Sequence, residues 1–235
     1  MRTIIVATIA LPLALLGWQW WGDRSIERGL APVASGVAGR DVTVDCQGFW
    51  SNLVDVQWRD GEVRFDANGV PEPRIFLTRS TCKRLGGFMN ARRHAQLDCL
   101  RSLDWSVPDP LPFASACYAD AADTIYALLV LAHEAYHTAG VVEEATTNCY
   151  ALQGIAWAAV ELGAPREEAE LMARAMEALE PKQGPRYGTA ECHAGLRLDL
   201  HPETPEFPAE RELRAPSGRG GMRAVAQPPS AARQA

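Results

Sequence analysis

Residues 123–140 read DTIYALLVLAHEAYHTAG, and this stretch decides how the rest of the chain is understood. Asp120 or Asp123 can cap a helix here, the following turns are apolar, and Gly140 is a suitable residue just beyond the end. The last part of that helix is His133-Glu134-Ala135-Tyr136-His137, an HExxH pattern. Spacing of i, i+4 sets both imidazoles on one helix face about a turn apart, so both can reach a single metal ion. Glu134 lies beside them and can reach a metal-bound water without ligating the metal, as a general base must. Zinc is the expected ion, because it lowers the pKa of such a water to about 7, where Glu134 can take its proton. The apolar turns before the motif bury the site. Without a metal, two histidines and a glutamate there would be costly buried polar groups.

A catalytic zinc takes three protein ligands and leaves a fourth position for water. Glu143 and Glu144 follow within one turn of Gly140, where the chain can reverse. The stretch HEAYHTAGVVE resembles the metzincin pattern HExxHxxGxxH/D, with Glu143 at the third-ligand position. The residues after it resemble the gluzincins, the thermolysin-like zincins. Their third ligand is a Glu opening a second helix, with an Asp or Asn one turn later that orients a ligand histidine. Glu144-Ala145-Thr146-Thr147-Asn148 has that form. The resemblance thus implies Glu144 as ligand and Asn148 behind it, holding a histidine. Glu144 is preferred because the helix it opens also carries Asn148. The layout of HEAYH, EEATTNCYALQ and ECHAGLRLDL is also similar to uncharacterised exported HExxH proteins of actinobacteria, over roughly residues 42–208, a likeness that implies no particular substrate.

For stabilising an oxyanion, His193 and Tyr187 are candidates if a Cys149–Cys192 bridge folds their segment over the zinc. His94 and His201 read as solvated. There is no GxSxG elbow and no GxxxxGK[ST] phosphate loop.

Upstream of the helix, DVTVDC (41–46) alternates, and VDVQWRDGEVRF (54–65) is two alternating runs around Asp60-Gly61, a strong hairpin signal. A third strand is expected at Arg74–Leu77. Ser80 can cap a short helix that Gly86-Gly87 breaks, and Met89–Leu103 can form another. Downstream, a helix from Glu143 or Glu144 ends near Gly163. A last amphipathic helix starts at Pro165, with Leu171, Met172, Ala175, Met176 and Leu179 inward. The fold class is therefore α+β: a small antiparallel sheet followed by a helical, zincin-like half.

The 235 residues are 47% apolar and 22% charged, with a net charge of -6 and no basic footprint for nucleic acid. The uncharged run Thr3–Trp21 is long enough to span a bilayer and carries Trp18, Trp20 and Trp21 at its exit. Arg2 before it puts the N-terminus inside and the remainder outside. A cleaved signal peptide is the alternative, and export is common to both. Six cysteines without a CxxC pair suit disulfides in an exported chain, with 15 connectivities open. The expected organisation is a signal-anchor at 1–24, a linker at 25–40, a zincin-like domain at 41–208 and a disordered tail at 209–235. The function that follows is a membrane-anchored, extracytoplasmic zinc metallopeptidase acting on a peptide or protein substrate. The alternative is a non-catalytic binding or scaffold domain with a structural or degenerate zinc site.

Overall fold

The alternating stretches become three short strands: β1 (Thr43–Cys46), β2 (Gly61–Phe65) and β3 (Pro71–Leu77). This computed structural model describes residues 22–47, 60–90, 94–105, 107, 115–179, 186–203 and 207. The strand order is β1-β3-β2, which leaves β2 at an edge among the described residues. Ile75 of β3 stands opposite Val44 on one side and Val63 on the other, and Ile75 and Leu77 are wholly buried. β1 runs parallel to β3 and β2 antiparallel to it, so the sheet is mixed rather than antiparallel throughout.

The turn at Asp60-Gly61 is corrected as well. Gly61 lies within β2 opposite Leu77 and has no positive φ. The reversal comes after the strand, where the Asp66 carboxylate accepts from the N–H groups of Asn68 at 2.8 Å and Val70 at 2.9 Å. Those bonds hold its carboxyl below the usual range. Residues 54–59 lie outside the described residues.

Where composition suggests a linker, the chain forms helix α1 over residues 22–38. Its Leu30, Val33, Ala34 and Val37 follow i, i+3, i+4, i+7 spacing and are buried in the core. Each large apolar side chain buried this way contributes about 1.5–3 kcal/mol relative to exposure. α1 also reaches the sheet, since the Glu27 carboxylate accepts from the Cys46 N–H at 3.0 Å. It is part of the domain.

Helix α2 (Arg79–Met89) is capped by Thr78 rather than Ser80 and runs straight through Gly86-Gly87. The glycine makes room for a close contact: a Cβ on Gly86 would sit 2.6 Å from Ile26 Cδ1 of α1, so that side chain would have to shift. A 3-10 helix (His94–Ser102) follows. Helix α3 (Ala116–Thr138) starts earlier than Asp120 because Ser115 caps it, its hydroxyl accepting from the Tyr118 N–H at 3.0 Å. It ends as expected, with Gly140 at φ 94°. Helix α4 (Glu144–Glu161) and helix α5 (Arg166–Leu179) complete the chain's helices among the described residues. On α5, Met172, Ala175, Met176 and Leu179 are buried, while Leu171 is only partly so.

α3 is the centre of the molecule, packed against α2, α4, α5, the 3-10 helix and strands β2 and β3. Its apolar residues therefore point in every direction, and Ile125, Leu128 and Leu131 are wholly buried.

Disulfides Cys46–Cys82, Cys99–Cys117 and Cys149–Cys192 pair all six cysteines and join β1 to α2, the 3-10 helix to α3, and α4 to the segment after α5. Three such bonds are the chemistry of an oxidising compartment. No helix among the described residues is long and apolar enough to cross a membrane. The run Thr3–Trp21 and the tail from 209 lie outside them.

Candidate metal centre

The C-terminal turns of α3 place His133, Glu134 and His137 on the side facing β2 and the start of α4, each 7–8% exposed. Their helix packs against α2, α4, α5, the 3-10 helix and the sheet, so the imidazoles leave it at set positions. His137 is oriented further by its Nδ1, 2.6 Å from the carbonyl oxygen of Val141. A carbonyl only accepts, so Nδ1 carries the proton and Nε2 presents a lone pair in the neutral ring.

That lone pair faces two others. His137 Nε2 lies 3.0 Å from His133 Nε2, His133 Nε2 lies 3.1 Å from Glu144 Oε2, and His137 Nε2 lies 3.7 Å from the same oxygen. A tetrahedral ion with bonds of about 2.0–2.1 Å separates its ligands by roughly 3.3–3.4 Å. The triangle has that size, and His133, His137 and Glu144 can hold a metal ion together. The donor chemistry points the same way. Two largely buried imidazole nitrogens and a partly exposed carboxylate oxygen converge there, a donor set that suits a cation.

Protonation favours ligation. Burial first, and His137 beside it second, hold His133 down at about 4, against the upward pull of Glu144 and Asn148. His133 is therefore neutral at pH 7, the form that binds metals.

Between the two glutamates the structure chooses Glu144. Glu143 is the exposed N-cap of α4, its carboxylate accepting from the N–H groups of Ala145 at 3.1 Å and Thr146 at 2.6 Å. The first residue inside the helix then points at the histidines. Asn148, one turn on and buried, hydrogen-bonds His133 and donates from Nδ2 to the Tyr187 carbonyl at 3.0 Å.

The three donors lie in a cleft of about 510 Å³ between α3, β2 and the segment after α5. Its lining includes Glu134, Tyr126 and Val130 from α3, Gly61 from β2, and Arg186 and Tyr187. β2 approaches α3 closely: a Cβ on Gly61 would lie 2.7 Å from Glu134 Cγ and 2.8 Å from Val130 Cγ1. Phe65 packs edge-on to His137, with ring centroids 6.3 Å apart. The Cys149–Cys192 bond brings Tyr187 over the site, its ring 6.2 Å from that of His133. His193 is not brought in. It is exposed, beside Phe207, and outside the cleft lining. His201 is likewise outside the lining, next to Glu203.

Tyr126, Gly61 and Arg186 are among the cleft residues that a reading of the sequence alone does not bring to the site. Tyr126 had a signal, since it precedes His133 by seven residues, two turns of one helix face. Its hydroxyl is pushed up by burial and then by Asp60, Tyr187 and Glu134 around it. Gly61 and Arg186 had none, because only the tertiary packing brings them to the site.

Compared with known proteins, the chain matches no protein-family model, no curated protein and no solved structure at a significant level. The metal-ligand geometry therefore stands on this molecule's own residues.

Proposed function

We propose that the cleft is the active site of a zinc metallopeptidase, with His133, His137 and Glu144 holding the ion and Glu134 acting as general base. The observation that carries this is the triangle of three donors with Glu134 beside it in an open cleft. Among the described residues the group of ligating side chains ends at three, as in a site with room for water and substrate rather than a closed structural one. The donor set of two imidazoles and one carboxylate is that of hydrolytic zinc sites. When bound, zinc supplies Lewis acidity and brings the pKa of water to around 7.

The protein's residues supply the remainder. Glu134 takes a proton at its carboxylate and returns it to the leaving amine, a role worth about 10²–10⁴-fold in rate. Tyr187, and Tyr126 across the cleft, offer phenol hydroxyls to an oxygen that gains charge. Asn148 keeps His133 in place, and the Val141 carbonyl keeps the His137 tautomer. The edge position of β2 leaves a strand beside the cleft on which an extended peptide can lie.

Three disulfides and the apolar run at Thr3–Trp21 support a place outside the cytoplasm, tethered to the membrane by that run. The substrate is then a peptide or protein met in the extracytoplasmic space.

The test is the Glu134→Gln variant of the full chain, assayed for zinc and for cleavage of a mixed peptide library. Zinc content is expected to equal that of the unaltered protein, with cleavage reduced at least 10²-fold. Cleavage at an undiminished rate, or loss of zinc together with activity, would overturn the role given to Glu134.

A further inference from the structure

Among the described residues lining the cleft, Arg186 is the one cation, set against the carboxylates of Asp60, Glu62, Glu134 and Glu144. Its Nη2 lies 3.4 Å from Glu144 Oε1, the oxygen turned away from the histidines, and its guanidinium is 5.5 Å from the centre of the Tyr187 ring. The side chain is 70% exposed, so a guanidinium with five N–H groups uses one of them on Glu144 and keeps the others at the mouth of the cleft.

Holding Glu144 is a small part of what this residue can do. Glu144 is already placed by the first turn of α4, and an exposed pair at this distance contributes little to stability. The backbone beneath Arg186 is nonetheless firmly held: Asn148 binds the Tyr187 carbonyl, and Cys149–Cys192 follows five residues on. A fixed base, an open fork of donors and a position one carboxylate away from the metal position describe an anion receptor beside a reaction centre. The four acidic side chains in the same cleft disfavour a dianion such as phosphate, and a single planar carboxylate matches the fork.

We infer that Arg186 recognises a carboxylate of the substrate, its free C-terminus, so that the cleft removes residues from the carboxyl end of a peptide. This rests on the cleft being the metallopeptidase site proposed above. A terminal carboxylate lies one residue, about 3.5 Å of extended chain, beyond the last peptide bond. That spacing suits a guanidinium which touches a metal ligand without touching the metal. An acidic side chain near the end of the substrate offers the same chemistry, and the probes below separate the two.

The experiment measures binding by calorimetry to the zinc-loaded, full-length Glu134→Gln protein, with zinc quantified in every sample. The probes are an N-acetylated tripeptide ending in leucine as free acid, the same peptide as its C-terminal amide, and an amidated peptide ending in glutamate. The free acid is expected to bind about tenfold or more tighter than either amide. Adding Arg186→Ala should abolish that preference while zinc content stays at one per chain. Arg186→Lys, which keeps the charge and loses the fork, should restore only part of it. Equal binding of free acid and amide by zinc-loaded protein would overturn the inference, as would a preference for the acid that survives Arg186→Ala. Tighter binding of the glutamate amide than of the free acid would overturn the assignment to the C-terminus. Each of these results leaves the metal centre standing. A protein that holds no zinc instead sinks the peptidase proposal itself.

Discussion

The two walls of the cleft are built on different principles. The metal-facing wall, from α3 and the start of α4, is part of the core: His133, Glu134 and His137 are 7–8% exposed and grow from a helix packed on every side. The opposite wall is Arg186 and Tyr187, at the start of a segment, residues 186–200, with little regular structure and few buried apolar residues. It is held by individual ties from one helix. Asn148 donates to the Tyr187 carbonyl, Cys149 bonds Cys192, and Gln153 donates to the Leu198 carbonyl at 2.9 Å and accepts from the Leu200 N–H at 2.8 Å. Glu144, Asn148, Cys149 and Gln153 all belong to α4. One helix thus supplies both a candidate metal ligand and the fastenings of the segment that carries Arg186 and Tyr187. The lesson is a division of labour: packing holds the candidate metal ligands, and cross-links hold the segment that carries Arg186 and Tyr187.

Breaking the cross-link should separate the two walls most clearly. In the chain-entropy description, a disulfide closing a loop of 43 residues stabilises the fold by about 4 kcal/mol. Cys149→Ser with Cys192→Ser should lower stability by that order in denaturant titration. Zinc should stay bound under native conditions, while peptide cleavage falls because Arg186 and Tyr187 lose their position. Zinc loss in folded, disulfide-free protein would show that the walls are not independent.

A smaller effect is expected on the core side. Gly61→Ala places a methyl where Glu134 Cγ and Val130 Cγ1 now lie, so β2 and α3 must part. Overpacking of this kind costs about 1–3 kcal/mol, and a displaced base can lose about 10²-fold in rate. Cleavage should drop with zinc content unchanged, and normal kcat would show that Glu134 relaxes without consequence.

The smallest effect concerns Glu143. Glu143→Ala removes an N-cap and should cost about 1 kcal/mol of stability, read as a small drop in Tm, with zinc and activity intact. Zinc loss in this variant would move the third ligand from Glu144 to its neighbour.

The metal-facing wall was the readable one. HExxH spacing, the apolar turns before it, Gly140 after it, and the Glu144–Asn148 step are all local relationships within one or two helices. Such relationships survive without knowledge of the fold. The glycine-containing run from Glu27 to Gly39, within the expected linker at 25–40, misled for the converse reason. Those glycines, with Pro32, read as a linker, although Leu30, Val33, Ala34 and Val37 carried a helical stripe. At Gly86 the missing side chain makes room for Ile26, a contact between helices far apart in sequence. The parallel pairing of β1 with β3 and the placing of Arg186 were unreadable on the same ground. Each depends on long-range packing that leaves no periodic trace.

The most direct test is the metal content of the full-length protein beside its His133→Ala variant, each purified without chelator and checked for intact disulfides. About one zinc per chain is expected, lost in the variant while the fold persists. Well-folded, oxidised protein that takes up no zinc, or a His133→Ala variant that keeps it, would contradict the assignment of His133, His137 and Glu144 as a metal centre.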